Sequence, residues 1–406
     1  MSRLDQHIPI VGEQAVDELR LLGRQLQGKL MRHISSMAVG GGAAEILHRM
    51  VPYFRELGID ARWDVIKGNS DFDAVTRKLH AALQGQPQTL TERDFTVYRD
   101  TLAQNGADLD LSGDLILTHD PQPAGLIMHK NKTAARWVWD GLLDLSAPQN
   151  EAWDFFRPLL EQYDAAIFPC PTFAPPISMR QILVAPSIDP LSERNRDLTA
   201  EQVHDVLNDF ELNLEKPAVT QVARFDPSKD AAGVIDAYRL AKKRVDCQLW
   251  LVGGDPEEDP EGNSGLAAVR EKAENDPDIH IFELSSTDHA AVNALQRAST
   301  LVLQKSIKEG FGLTVTEALW KGKPVIASAL GGIPLQITHN ESGILTHSVE
   351  GTAYWIRQLL QEPLYAKRLG ENGRQRVLDN FLLTRHLRDY LLVFLSTLHP
   401  QDILRA

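Results

Sequence analysis

Two glutamates, Glu309 and Glu317, flank the run Gly310-Phe311-Gly312-Leu313 in the stretch KEGFGLTVTEALWKGKPVIA, residues 308 to 327. A carboxylate can accept hydrogen bonds from ligand hydroxyls, and glycines beside it let the backbone come close to a ligand. The residues from Thr316 to Lys321 read as a helix and those from Lys323 to Ser328 as a short apolar strand. The pair therefore sits at a loop entering a helix, where unpaired backbone N–H groups favour anions. Plainer readings are a solvated helix face for Glu317 and a charge complementing the helix dipole for Glu309. Two carboxylates alone do not make a hydrolytic pair, because their separation and surroundings set the chemistry.

Three other constellations could carry chemistry. Arg224 and Lys229 follow an apolar strand in the loop ARFDPSKD, and two cations at a strand's carboxyl end can clamp a diphosphate, a solvated surface pair being the alternative. Gly40-Gly41-Gly42 follows a strand and opens a helix, so its amides can face an anion or a sugar hydroxyl, or the run can simply make a tight turn. His119-Asp120 closes the strand LILTHD ahead of Pro-Gln-Pro, where the two side chains either face a ligand or cap the turn.

These residues need elements to hold them. The first half alternates the strands LMRHISSM, DARWDVI, DLILTHD and AAIFPCP with helices such as AAEILHRMVPYFRELG and FDAVTRKLHAAL. In the second half, PAVTQVARF, CQLWLVGG, IHIFEL, STLVLQK, KPVIAS and SGILT alternate with five amphipathic helices. Such alternation predicts α/β architecture with parallel sheets in two Rossmann-like domains that face each other across an interdomain cleft, the expected ligand site. The pattern lapses between about 186 and 215, which divides the chain into domains at 1–188 and 189–377. A last helical run, 378–406, is expected to pack back on the first domain.

The 406 residues are 43% hydrophobic and 24% charged, with a formal net charge of −13. That charge argues against a nucleic-acid backbone or an anionic membrane surface as partner. No run approaches the apolar length of a membrane span and no apolar signal core opens the chain, so a cytoplasmic location is expected. Cys170 and Cys247 stand in unrelated contexts and read as buried apolar residues.

Taken together, Arg224-x4-Lys229 and Glu309-x7-Glu317 on two Rossmann-like domains resemble the retaining GT-B glycosyltransferases of family GT4. The segments GGGAAEILHRMVPYFRELGIDARW, HDPQPAGL, ARFDPSKDAAGVIDAYRLAK and EGFGLTVTEALWKGKPVIASALGGIPLQI resemble the trehalose glycosyltransferring synthases, over residues 30 to 350. The resemblance implies an NDP-glucose donor, a small sugar acceptor and transfer with retention, making α,α-trehalose. Arg224 and Lys229 would neutralise the diphosphate, Glu317 would take the ribose hydroxyls and Glu309 the hydroxyls of the transferred sugar. Gly310, Phe311, Gly312 and Leu313 would line the donor's path with their amides. Gly41 and Gly42 would approach the donor phosphates, while His119 and Asp120 would face the acceptor, with Asp120, Glu309, Arg224 and Lys229 as the catalytic set. No tightly bound cofactor and no protein metal site are implied; Mg accompanying the diphosphate and a homodimer are both left open.

One segment departs from that family's pattern. Where the branch carries Trp-Arg-Cys-His-Ile-Asp, this chain has Trp139-Asp140-Gly141-Leu142-Leu143-Asp144. Leucine stands in place of a histidine that positions the donor sugar, and aspartate in place of arginine. Two alternatives follow: the same donor chemistry with another acceptor, such as a sugar phosphate or small metabolite, or a catalytically weak nucleotide-sugar-binding protein.

Overall fold

A computed structural model describes residues 2–39, 42–259 and 263–401. The chain forms two compact units, one built from residues 1–185 and 384–406, the other from residues 186–383.

The first unit is built on a six-stranded parallel sheet. Its strands are β1 (Leu30–Ser35), β2 (Asp60–Val65), β3 (Leu115–His119), β4 (Arg136–Asp140), β5 (Ala165–Phe168) and β6 (Gln181–Leu183), in the order β2-β1-β3-β4-β5-β6. Strands β3 and β5 are buried along their whole length, and β1 and β4 at all but their first residue, because helices cover both faces, which is why such strands read as apolar runs rather than alternating ones. The strand order reverses direction between β1 and β3, so a crevice is expected beyond their carboxyl ends.

The second unit repeats the plan. Strands β7 (Ala218–Val222), β8 (Gln248–Gly254), β9 (Ile279–Leu284), β10 (Leu301–Gln304), β11 (Val325–Ser328) and β12 (Ile344–Thr346) lie in the order β12-β11-β10-β7-β8-β9, all parallel. This is the doubly wound order of dinucleotide-binding sheets, with its switch point between β7 and β10. The loops after those two strands carry Arg224, Lys229 and Glu309. The core packs Val219, Leu249, Leu301 and Ile326 of the sheet against Val234, Ile235 and Tyr238 of the helix Ala231–Lys242.

The structure departs from the sequence reading in two places. Strands β4 and β6 add to the four expected in the first half: β4 is five residues with two fully buried tryptophans, Trp137 and Trp139, and β6 is a three-residue, partly exposed edge. The expected final helix, 378–406, is found as Leu383–Leu398, and it is preceded by a separate helix, Pro363–Asn380, that the sequence reading did not assign. They are interrupted because Leu382 pairs with Ile188 in an isolated parallel bridge, and the Ile188 amide donates to the Phe381 carbonyl.

Candidate functional site

The chemistry-bearing loops of the second unit are fixed from below. Gln221, on β7, donates from its side chain to the Lys229 carbonyl at 3.0 Å, and the Ile307 amide donates to the Ser228 carbonyl at 2.7 Å, tying the loop after β10 to the turn after β7. Two candidates far apart in sequence are thereby joined. Lys229 Nζ lies 2.8 Å from Glu309 Oε1, and the two side chains are only 16% and 7% exposed. Glu309 Oε2 accepts from Gln304 Nε2 and Ser306 Oγ, each at 2.9 Å, so the carboxylate is held on both oxygens.

The glycines around Glu309 have specific tasks. Gly312 adopts φ +79°, a left-handed conformation that turns the loop into the helix Leu313–Trp320, with the Val315 amide donating to the Gly312 carbonyl at 2.9 Å. Gly331, at φ +55°, lies so close beneath Glu309 and Gly310 that a β-carbon would stand 2.2 Å from both carbonyl oxygens. The Gly332 amide then donates to the Gly310 carbonyl at 2.8 Å. On the other side, a β-carbon on Gly310 would meet nothing within 4 Å, so that face is open to a ligand. The Gly310 amide itself donates to Glu309 Oε1 at 3.2 Å.

Arg224 and Glu317 sit differently. Arg224 is 58% exposed and lies 3.4 Å from both Asp226 and Asp259, a loose arrangement that leaves its guanidinium in solvent. Glu317 is nearly buried and its Oε1 lies 2.8 Å from Arg194 Nε, a residue sequence reasoning did not single out. One turn further, Lys321 is buried and donates to Asn195 Oδ1, Gln296 Oε1 and the Glu317 carbonyl. Burial pushes its ammonium down to about 7, against the pull of Glu317. Arg194 and Asn195 lie in the stretch SERNRDL, where the sequence offers polarity without periodicity. Only the fold shows that their partners are Glu317 and Lys321.

In the first unit, Gly41 lies outside the described residues, and Gly42 opens the helix Gly42–Glu56. Asp120 follows β3 with φ +67°, rare for a residue with a side chain. Three bonds hold it there: its amide donates to the Asp140 carbonyl at 2.8 Å, its carbonyl accepts from Trp139 Nε1 at 3.0 Å, and its Oδ1 accepts from the Leu142 amide at 3.1 Å. Enclosure by the protein raises the Asp120 carboxyl to about 6 and the nearby Asp140 adds to the rise, while the Leu142 amide and His119 oppose it.

His119 does not share that position. It is 1% exposed and bonded on both ring nitrogens, to Asp140 Oδ2 at 2.9 Å and to His33 at 3.0 Å, and Asp140 in turn accepts from the Tyr390 hydroxyl. The last residue of a central strand points into the protein, so of the expected His119-Asp120 pair only Asp120 reaches the surface. His33 and Tyr390 went unremarked in the sequence, and Asp140 stood out only as the aspartate in place of the branch's arginine, because nothing in their spacing links the three. Leu142 closes this region: its Cδ1 would be 3.5 Å from a β-carbon on Gly42.

Among the described residues no group of three or more His, Cys, Asp or Glu is placed to hold a metal ion, and no helix is long and apolar enough to cross a membrane.

Comparison with known proteins agrees with this layout. Residues 33–175 match the family model for the trehalose synthase N-terminal domain, and residues 205–376 match that for glycosyl transferases group 1. The chain is 42% identical over 395 residues to a trehalose synthase from Pyrococcus horikoshii, covering 96% of this chain and 95% of the relative. It is 38% identical to one from Rubrobacter xylanophilus, with coverage of 96% and 95%. Among solved structures, an α,α-trehalose-phosphate synthase (UDP-forming) from Burkholderia xenovorans superposes with a TM-score of 0.70 at 14% identity, covering 90% of this chain and all of that one. Identity over nearly the full length, together with two doubly wound parallel sheets, leads to one conclusion: the chain belongs to the trehalose synthase family of GT-B glycosyltransferases.

Proposed function

We propose that this glycosyltransferase moves glucose from an NDP-glucose to free glucose with retention of configuration, forming α,α-trehalose. The observation that carries the reading is the contact of Lys229 with Glu309 at the switch point of the second sheet. It places a cation suited to a diphosphate beside a carboxylate suited to sugar hydroxyls, at the mouth of an open glycine loop and a helix N-terminus. Lys229, with Arg224 closing from solvent, neutralises the charge that grows on the departing diphosphate. Glu309 holds hydroxyls of the transferred glucose, the amides of Gly310, Phe311, Gly312 and Leu313 line the path, and Glu317 takes the ribose hydroxyls. In the first unit, Gly41 and Gly42 approach the donor phosphates, and Asp120 meets the acceptor with His119 supporting it from beneath. The departing phosphate assists front-face attack, so no enzymic nucleophile is needed. Any Mg travels with the diphosphate rather than on protein ligands.

The test is incubation of purified protein with ADP-, UDP- or GDP-glucose and glucose. Trehalose and free NDP in equal amounts support the reading; release of neither overturns it. Leu142 beside Gly42 favours one second reading, the same donor with an acceptor other than glucose, because an apolar side chain there removes a hydrogen-bonding group from the sugar's surroundings. Transfer from the same donor to a sugar phosphate but not to glucose decides for it.

A further inference from the structure

Arg194 lies on a short stretch whose backbone is fixed with unusual thoroughness. Asn293 Nδ2 donates to the carbonyls of Glu193 and Arg196, both at 2.9 Å, Arg297 donates to the Arg196 carbonyl at 3.0 Å, and Trp320 Nε1 donates to the Asn195 carbonyl at 3.1 Å. Lys321 holds the Asn195 side chain. Two helices, His289–Ala298 and Leu313–Trp320, thus supply side chains whose shared effect is to hold residues 193–196 still. The residue presented by this turn is Arg194, its Nε 2.8 Å from Glu317 Oε1.

The Glu317 carboxylate is half satisfied. Oε1 has the guanidinium, whereas Oε2 is buried and has no hydrogen-bond partner among the described residues, on a side chain that is 9% exposed. A buried acceptor without a donor is costly, and a carboxylate oxygen more so than a neutral one. A ligand hydroxyl would relieve that cost. An ion pair at one oxygen favours the rotamer that keeps it and so biases the direction of the other.

We propose that Arg194 is a positioning residue for nucleotide recognition: by holding Glu317 Oε1 it aims Oε2 at a ribose hydroxyl of the nucleoside diphosphate. The inference rests on the assignment of Glu317 to the ribose. Arg194 acts through Glu317 and not on the phosphates, which makes its contribution depend on the sugar of the nucleotide. A residue that only stabilised the fold would affect all nucleotides alike.

The experiment is calorimetric titration of the full-length protein with ADP and UDP and with their 2′-deoxy counterparts, for wild type, Arg194→Gln, Arg194→Lys and Glu317→Gln. We expect Arg194→Gln to weaken binding of the preferred ribonucleotide by about tenfold, the order of one charge-assisted hydrogen bond, and binding of its deoxy form by under about threefold. Arg194→Lys, which keeps the charge, should recover part of the loss. Because the ribose-to-deoxyribose ratio is taken within one variant, a general loss of stability cancels from it. Equal weakening for both nucleotides, or no weakening while Glu317→Gln does weaken ribonucleotide binding, overturns the role of Arg194 and leaves that of Glu317 standing. Glu317→Gln binding every nucleotide as wild type does removes the ribose assignment and this inference with it.

Discussion

Glu309 and Lys229 satisfy each other, so each substitution has a consequence for the partner. Glu309→Gln keeps the volume and the contacts to Gln304 and Ser306 but releases Lys229 from its counter-ion. Trehalose formation should fall by at least about 100-fold, as when a group acting on the transition state is removed, while NDP affinity stays level or tightens. Lys229→Ala should weaken NDP binding by roughly 10- to 150-fold, the equivalent of about 1.5–3 kcal/mol for one charged hydrogen bond. Kinetics and titration on both variants check this; strong loss of NDP affinity in Glu309→Gln would contradict the division of labour. Asp120 offers the opposite trade. Its folded carboxyl stands near 6 against 3.8 in the unfolded chain, so between those values the folded state binds more protons and stability is lost as pH rises. Above about pH 6 the ionised group is a fixed cost of up to about 3 kcal/mol. Asparagine tolerates the left-handed backbone and still accepts from the Leu142 amide. Asp120→Asn should therefore melt higher than wild type at pH 7, show little difference at pH 4, and lose transfer activity; a lower melting temperature at pH 7 would refute the assignment.

At the scale of elements, the strand and helix order was legible wherever a run was long and apolar, and all six strands of the second unit could be read that way. What escaped were β4, no shorter than several strands that were read, and the three-residue edge β6, whose places come from neighbours on the sheet rather than from their own pattern. The candidate site divides along the same line. Glu309, Lys229 and Gly312 carry signals in local spacing, whereas Arg194, Gln304 and Tyr390 acquire meaning only when distant segments meet. Residues 193–196 are the clearest instance, because a polar stretch without periodicity becomes a rigid turn only through Asn293, Arg297, Trp320 and Lys321. Lys321 makes that fixture sensitive to pH. Its ammonium ionises near 7 in the folded protein and 10.5 when unfolded, so in that window the unfolded chain binds the extra proton and stability rises with pH. Relative to Lys321→Met, wild type should gain stability from pH 7 to 10 with a slope approaching about 1.4 kcal/mol per pH unit. Denaturant titrations at several pH values measure it, and parallel curves for the two proteins would show that the lysine is not held near neutrality.

At the scale of the molecule, the two units differ in how the chain supplies them. Residues 186–383 are continuous and contain Arg194, Arg224, Lys229, Glu309 and Glu317, with their own sheet and core. The first unit is assembled from both ends of the sequence. Its helix Leu383–Leu398 buries Leu387, Tyr390, Leu391, Val393 and Phe394, each worth about 1.5–3 kcal/mol on burial. Their sum, on the order of 10 kcal/mol, rivals the whole stability of an ordinary domain. Tyr390 also donates to Asp140, and Arg385 donates to the Ala185 carbonyl at 2.6 Å, so removing the helix breaks these hydrogen bonds as well. A fragment of residues 186–383 should therefore fold cooperatively and bind NDP with affinity near that of the full chain. Residues 1–185 alone should lack a cooperative thermal transition and regain it when 384–406 are joined back through a short linker. Calorimetry on the three polypeptides decides the matter: a sharp transition in 1–185 alone would mean that the sheet is self-sufficient and the helix an accessory, and failure of 186–383 to bind NDP would mean that the nucleotide site needs residues of the first unit.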